Sequence, residues 1–163
     1  MQTDPPKVFK NVKDAELFLA PLREEGKTLV TTNGCFDLLH TGHIKYLSEA
    51  SSLGDLLVIG INSDSSVKRL KGPQRPIQKE MDRAFLIASL KMVDCAFIFQ
   101  EDDPRAFLEV LRPDIHVKGG DYLPEDLPEK EVVEKHGGKI QILSFEKGYS
   151  TTAIVGSIRK SGQ

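Results

Sequence analysis

Hydrophobic positions along the chain follow two rhythms. Over Val12 to Glu25 the apolar residues Leu17, Phe18 and Leu22 share one helical face and Gly26 closes the run, which predicts a helix. The same spacing recurs over Thr41 to Leu53 through Ile44, Leu47 and Ala50, and again over Met81 to Val93. Shorter helices are predicted over Pro104 to Leu111 and Pro128 to His136, with a last one from about Thr151 to Arg159. Between them stand short apolar or β-branched runs at Thr28 to Thr32, Leu56 to Ile61, Cys95 to Phe99, Ile115 to Val117 and Lys139 to Leu143. A continuous run such as Leu56 to Ile61 suits a strand covered by helices on both faces of a parallel sheet. Strands alternating with helices through short connections predict an α/β fold, a doubly wound, five-stranded, mainly parallel sheet. Residues 1–11 are expected to be a flexible N-terminal segment of a single 1–163 domain.

Composition narrows the function. The 163 residues, 39% hydrophobic and 28% charged, suit one globular domain. Lys and Arg number 22 against 24 Asp and Glu, a net charge of −2, which argues against a nucleic-acid or membrane-surface binder. The N-terminal residues Met1 to Lys7 lack an apolar signal core, and runs such as Leu56-Leu57-Val58-Ile59 are too short to span a bilayer. Cys35 and Cys95 make no disulfide framework, so the expected location is cytoplasmic. The small net charge conceals a local asymmetry, because Lys68, Arg69, Lys71 and Arg75 crowd one stretch.

Ligands of doubly wound sheets bind at the carboxyl ends of strands, so those segments carry the chemistry. The first predicted strand runs into Asn33-Gly34-Cys35-Phe36-Asp37 and then His40-Thr41-Gly42-His43 at the start of a helix. Gly34 allows a sharp turn and close approach of an anion to main-chain N–H groups. Two imidazoles added to a helix N-terminus suit a phosphate whose charge grows in a transition state. A zinc reading of Cys35, His40 and His43 stands beside it, although no second Cys/His pair at zinc-finger spacing exists. After the second strand, Lys68 to Pro76 reads either as a solvated basic loop or as a mobile cationic loop closing over phosphates, and Arg83 is placed to point back at the same edge. Gly119-Gly120-Asp121 after the fourth strand suits a base or sugar, unless it is only a tight turn. Ser150, Thr151 and Thr152 at the last helix form a second anion site. No Walker A loop is present.

Asn33-Gly34-Cys35-Phe36-Asp37 through His43, together with Tyr149-Ser150-Thr151-Thr152, resembles the two signatures of the cytidylyltransferase-like nucleotidyltransferases. Lys71-Gly72-Pro73-Gln74-Arg75-Pro76 and Val117-Lys118-Gly119-Gly120-Asp121-Tyr122 extend the resemblance to the heptose 1-phosphate adenylyltransferase branch, over about Val12 to Arg159. The resemblance implies a Rossmann-like nucleotidyltransferase fold and transfer of AMP from ATP to a sugar 1-phosphate, with Mg²⁺ carried by the triphosphate and no metal bound by the protein itself. It implies catalytic roles for His40, His43 and Lys71, and nucleotide contacts from Asn33, Gly34, Cys35, Phe36, Asp37, Gly119, Gly120, Asp121, Ser150, Thr151 and Thr152. Lys68, Arg75 and Arg83 would bind the acceptor. A homodimer is a further implication, as is a sugar kinase that is either a separate polypeptide or lies outside these 163 residues. Glycerol-phosphate cytidylyltransferases carry an Arg five residues before the Ser of Ser-Thr-Thr, where Phe145 stands here, so the cationic role moves toward Lys68 to Arg83. Competing readings are another phosphorylated acceptor such as glycerol phosphate or FMN, a nucleotide sensor without turnover, and a fragment of a class I aminoacyl-tRNA synthetase. The last lacks room and charge for an anticodon-binding domain.

Overall fold

The computed structural model describes residues 5–144 and 150–161. Six strands form one parallel sheet: β1 (Val8–Phe9), β2 (Leu29–Gly34), β3 (Leu56–Asn62), β4 (Cys95–Phe99), β5 (Ile115–Gly119) and β6 (Lys139–Leu143), in the order β1-β4-β3-β2-β5-β6. Seven α-helices surround it: α1 (Val12–Glu24), α2 (Thr41–Ser51), α3 (Asp64–Lys71), α4 (Glu80–Ala88), α5 (Arg105–Leu111), α6 (Lys130–Lys135) and α7 (Thr151–Ser161).

Two elements depart from expectation. The strand count is six, because Val8–Phe9 seats itself on the edge of β4 in register with Ala96 and Phe97, and Lys7 accepts from the Ala96 N–H. Two residues are too few to carry a readable period. The basic stretch is not a loop throughout: Lys68, Arg69 and Lys71 lie in the last turn of α3. Ser63 caps that helix by accepting from the Ser66 N–H at 3.2 Å, and three cations at its carboxyl end suit the helix dipole. Only Val67 of its apolar residues is buried, so no apolar face marked it in the sequence.

The core has two layers, as the alternation of side chains across a sheet requires. Val30, Leu57, Ile59, Ile61, Ala96 and Val117 pack with Leu47 of α2 and Ile87 of α4. On the other face Leu29, Val58, Cys95, Phe97 and Phe99 pack with Leu19 of α1 and Phe107 of α5. The aromatic rings meet edge-on, Phe107 lying 5.1 Å from Phe97 and 5.0 Å from Phe99. All seven positions of β3 are buried.

The chain reverses its direction of travel across the sheet at β2, which has β3 on one side and β5 on the other. β2 and β3 pair along all six residues, whereas β2 and β5 pair only at Val30–Ile115 and Thr31–His116. Beyond those positions the two strands part at their carboxyl ends. The Tyr46 hydroxyl of α2 stands in the opening, 2.7 Å from Thr32 Oγ1 and donating to the Val117 carbonyl at 3.3 Å.

His116 is fully buried beside that opening, its Nδ1 2.9 Å from Thr31 Oγ1. Burial, with a smaller contribution from Lys118, pushes its pKa down to about 3. An unfolded chain takes up that proton below about pH 6.5, whereas the folded one does not, so stability is lost as pH falls through this range. The melting temperature is expected to drop between about pH 7 and pH 5, and His116→Gln to reduce that slope, as read by thermal melts across pH.

Candidate active site

The parted strand ends enclose a cavity of about 140 Å³. Asn33, Gly34, Cys35 and Phe36 line it from the end of β2, His43 and Tyr46 from α2, and Lys118 and Gly119 from the end of β5. Open α/β sheets bind ligands at this switch point. The turn leaving β2 is tightly built. A Cβ at residue 34 would lie 2.9 Å from the Phe36 ring, so only glycine lets the ring fold back there. Phe36 itself takes a left-handed backbone conformation, φ 44°, which turns the chain out of the strand.

His40 is the N-cap of α2, its Nδ1 accepting from the His43 N–H at 3.4 Å. The two imidazoles stack with centroids 3.8 Å apart and planes 18° from parallel. Burial, and then the neighbouring His40, drives the His43 pKa down to about 4; burial also lowers that of His40. Both rings are therefore neutral near pH 7, and His43 Nδ1 has no hydrogen-bond partner among the described residues. An anion placed beside the rings would favour their protonated form.

α7 starts beside the same histidine segment. Thr151 Oγ1 donates to the Leu38 carbonyl at 3.2 Å, and Ser150 Oγ caps the helix by accepting from the Ala153 N–H at 3.0 Å. Thr152 is exposed. The structure thus seats the start of α7 against Leu38, just before His40 in the chain and 113 residues from Thr151. Phe145, Gly148 and Tyr149 lie outside the described residues.

The acidic and basic residues next to the turn are spent on one another. The Asp37 carboxylate, 2% exposed, accepts from Arg75 Nε at 2.5 Å, from the Ile77 N–H at 2.8 Å and from the Gln78 N–H at 3.0 Å. Burial alone would raise its pKa, but those N–H groups and the guanidinium outweigh it and hold the carboxyl below its ordinary value. Arg83 is 0% exposed and donates to the carbonyls of Cys35, Asn62 and Gln78, with an ion pair to Asp64 at 2.9 Å. Arg75 and Arg83, expected at the acceptor, are engaged here by partners within the chain, and Asp37, expected at the nucleotide, ties its turn to residues 75–78. A guanidinium buried among carbonyls has its donors occupied.

Lys71 is exposed and stands close enough to Cys35 to act on its thiol, although burial dominates and raises the thiol pKa. Lys68 faces a separate open cleft between α3 and α4, beside Asp64, Lys79 and Glu80. Arg69 turns away to Asp102 at 2.8 Å. Gly119 lines the cavity, Gly120 takes φ 128° and donates to the Leu143 carbonyl, and Asp121 is exposed. Two lining residues were not singled out from the sequence. Lys118, whose ammonium is held 2.8 Å from the buried Glu129, was within reach, since it directly precedes the paired glycines; Tyr46 carried no such signal.

Among the described residues no three His, Cys, Asp or Glu side chains converge as metal ligands, and the Asp37 oxygens are occupied. The donor set therefore does not fit a resident Mg²⁺.

Residues 31–156 match the cytidylyltransferase-like family. The chain belongs to that family. Among curated proteins it is similar to the bifunctional protein HldE of Syntrophotalea carbinolica, 53% identical over 133 residues, covering 82% of this chain and 27% of that protein. It is similar also to the bifunctional protein HldE of Geotalea uraniireducens, 50% identical over 151 residues, covering 93% of this chain and 31% of that protein. The chain thus spans less than a third of the length of either relative. Among solved structures it is similar to the lipopolysaccharide core biosynthesis protein from Thermoplasma volcanium, with a TM-score of 0.62, 35% identity, and 77% and 100% of the two chains covered. Every cavity-lining residue falls inside the family match.

Tyr46 pins the opening of that cavity, and burial raises its hydroxyl pKa to about 12, so it remains a neutral donor. Tyr46→Phe keeps the ring and leaves Thr32 and Val117 without this partner. A loss of about 1–2 kcal/mol in urea denaturation is expected.

Proposed function

We propose that this domain transfers AMP from ATP to D-glycero-D-manno-heptose 1-phosphate, giving ADP-heptose and pyrophosphate. The observation that carries the reading is the stacked His40–His43 pair on the α2 N-terminus at the switch-point cavity. Membership of the cytidylyltransferase-like family and similarity to proteins named HldE support it.

A phosphate oxygen of the sugar 1-phosphate attacks the α-phosphorus of ATP in line, and the bond from that phosphorus to the β-phosphate oxygen breaks. Pyrophosphate leaves and no side chain becomes covalently attached; Mg²⁺ carried by the triphosphate would supply further charge neutralisation. The domain supplies alignment and charge neutralisation. His40 and His43 donate to the α- and β-phosphates, and a ring gains a proton as the anion docks. Main-chain N–H groups of the Gly34 to Phe36 turn face the same charge. Lys71 and Lys118 bring cations from opposite sides, and Ser150 to Thr152 hold the β- and γ-phosphates. Gly119 to Asp121 flank the nucleoside.

In this reading the domain works in the cytoplasm, as a homodimer, and receives its acceptor from a sugar kinase. No helix among the described residues is long and apolar enough to cross a membrane.

Purified protein given MgATP and heptose 1-phosphate is expected to release pyrophosphate, with CTP a poor substitute. His43→Ala should lower kcat/KM by about 100- to 1,000-fold, the usual loss when a transition-state donor is removed. Turnover retained in His43→Ala overturns the assigned role, and a preference for CTP or for another phosphorylated acceptor overturns the substrate.

A further inference from the structure

We infer that Arg83 is a positioning residue for the triphosphate: its buried guanidinium fixes the Cys35–Phe36 peptide so that the Phe36 N–H faces the phosphates. The inference rests on the nucleotidyl-transfer reading above.

The geometry is a clamp between three segments, two leaving the sheet at the ends of β2 and β3 and one connecting α3 to α4. Arg83 comes from α4 and donates to Cys35 after β2, to Asn62 at the end of β3, and to Gln78 in the Gly72–Lys79 connection. Asp64 Oδ1 compensates its charge at 2.9 Å. Asp37 works on the same two segments from the opposite direction, taking the N–H groups of Ile77 and Gln78 together with Arg75 Nε. A guanidinium and a carboxylate, each at least 98% removed from solvent, thus lock residues 35–37 against residues 75–78.

A trans peptide is planar, with its C=O and N–H pointing in opposite directions. Once Arg83 holds the Cys35 carbonyl, the Phe36 N–H is aimed away from Arg83. Cys35 and Phe36 line the cavity together with His43, so the free side of that peptide belongs to the phosphate site. The left-handed φ of 44° at Phe36 is disfavoured for a bulky residue, and a fixed hydrogen bond to the preceding carbonyl holds the backbone there. Lysine cannot reproduce the arrangement, because one ammonium does not present the flat fork that reaches three carbonyls and a carboxylate.

The test is Arg83→Lys, read by thermal melting, by calorimetric titration with MgATP, and by kcat and KM for both substrates. The expected result is a folded protein with MgATP affinity lowered about tenfold and kcat about 100-fold, and the acceptor KM within about threefold of wild type. A rise in acceptor KM with MgATP affinity unchanged overturns the inference and returns Arg83 to the acceptor site. A lower melting temperature with wild-type affinity and kcat also overturns it, since the residue is then structural only. If Arg83→Lys does not fold, Asp64→Asn carries the test. Asp64 is partly exposed and its loss releases one end of the clamp, with MgATP binding expected to weaken about threefold; unchanged binding overturns the inference. MgATP binding is measured without acceptor, so wild-type protein that binds MgATP yet does not turn over heptose 1-phosphate fails the substrate reading alone. Wild-type protein that does not bind MgATP overturns both.

Discussion

β2 and β5 hydrogen-bond at two positions and then separate, and the remainder of the site hangs on that separation. Had the pairing continued past Thr31 and His116, the carboxyl ends of both strands would close on one another. Instead the Tyr46 hydroxyl stands between the two strands, 2.7 Å from Thr32 Oγ1 and donating to the Val117 carbonyl at 3.3 Å. The gap is deepest where the chain switches direction, so the strand ends meet there from opposite sides with different chemistry. β2 delivers a glycine turn and the start of α2, with its free N–H groups and two imidazoles. β5 delivers Lys118 and a glycine.

Charge is distributed by depth. Buried ionic groups are paired within the chain: Arg83 with carbonyls and Asp64, Asp37 with Arg75 and two N–H groups, Glu129 with Lys118. Breaking such a pair leaves an uncompensated buried charge, so Arg83 and Asp37 hold segments in place, while Lys118, partly exposed, also lines the cavity. Pairs at the surface, such as Arg105–Asp103 and Lys135–Glu109, are screened by water and salt and position nothing at the site. What faces the cavity is neutral imidazole and cationic lysine, a surface suited to an arriving polyanion.

Much of this was legible in the residues. The five longer strands and the helices around them follow from apolar runs and helical spacing, because burial on a sheet or on a helix face imposes a local period. The turn from Asn33 to Asp37, the paired histidines and the Ser150 to Thr152 helix start were also readable, since each places its polar groups at an element boundary. α3 was not, because its eight residues bury a single apolar side chain. β1 was not, because an edge strand of two residues has no period.

The basic stretch shows the boundary between the two kinds of knowledge. Sequence alone established that four cations crowd one stretch, that two imidazoles stand at a helix start, and that the fold is a layered parallel sheet; these are local matters of spacing and side-chain chemistry. Where each cation points was decided by partners distant in the chain. Arg83 meets Cys35 across 48 residues and Arg75 meets Asp37 across 38. A charged side chain is committed by whichever buried counter-charge or carbonyl reaches it, and no local pattern encodes that meeting. Packing the sheet tied Arg75 and Arg83 to partners within the chain, left Lys71 exposed and set Lys118 at the cavity.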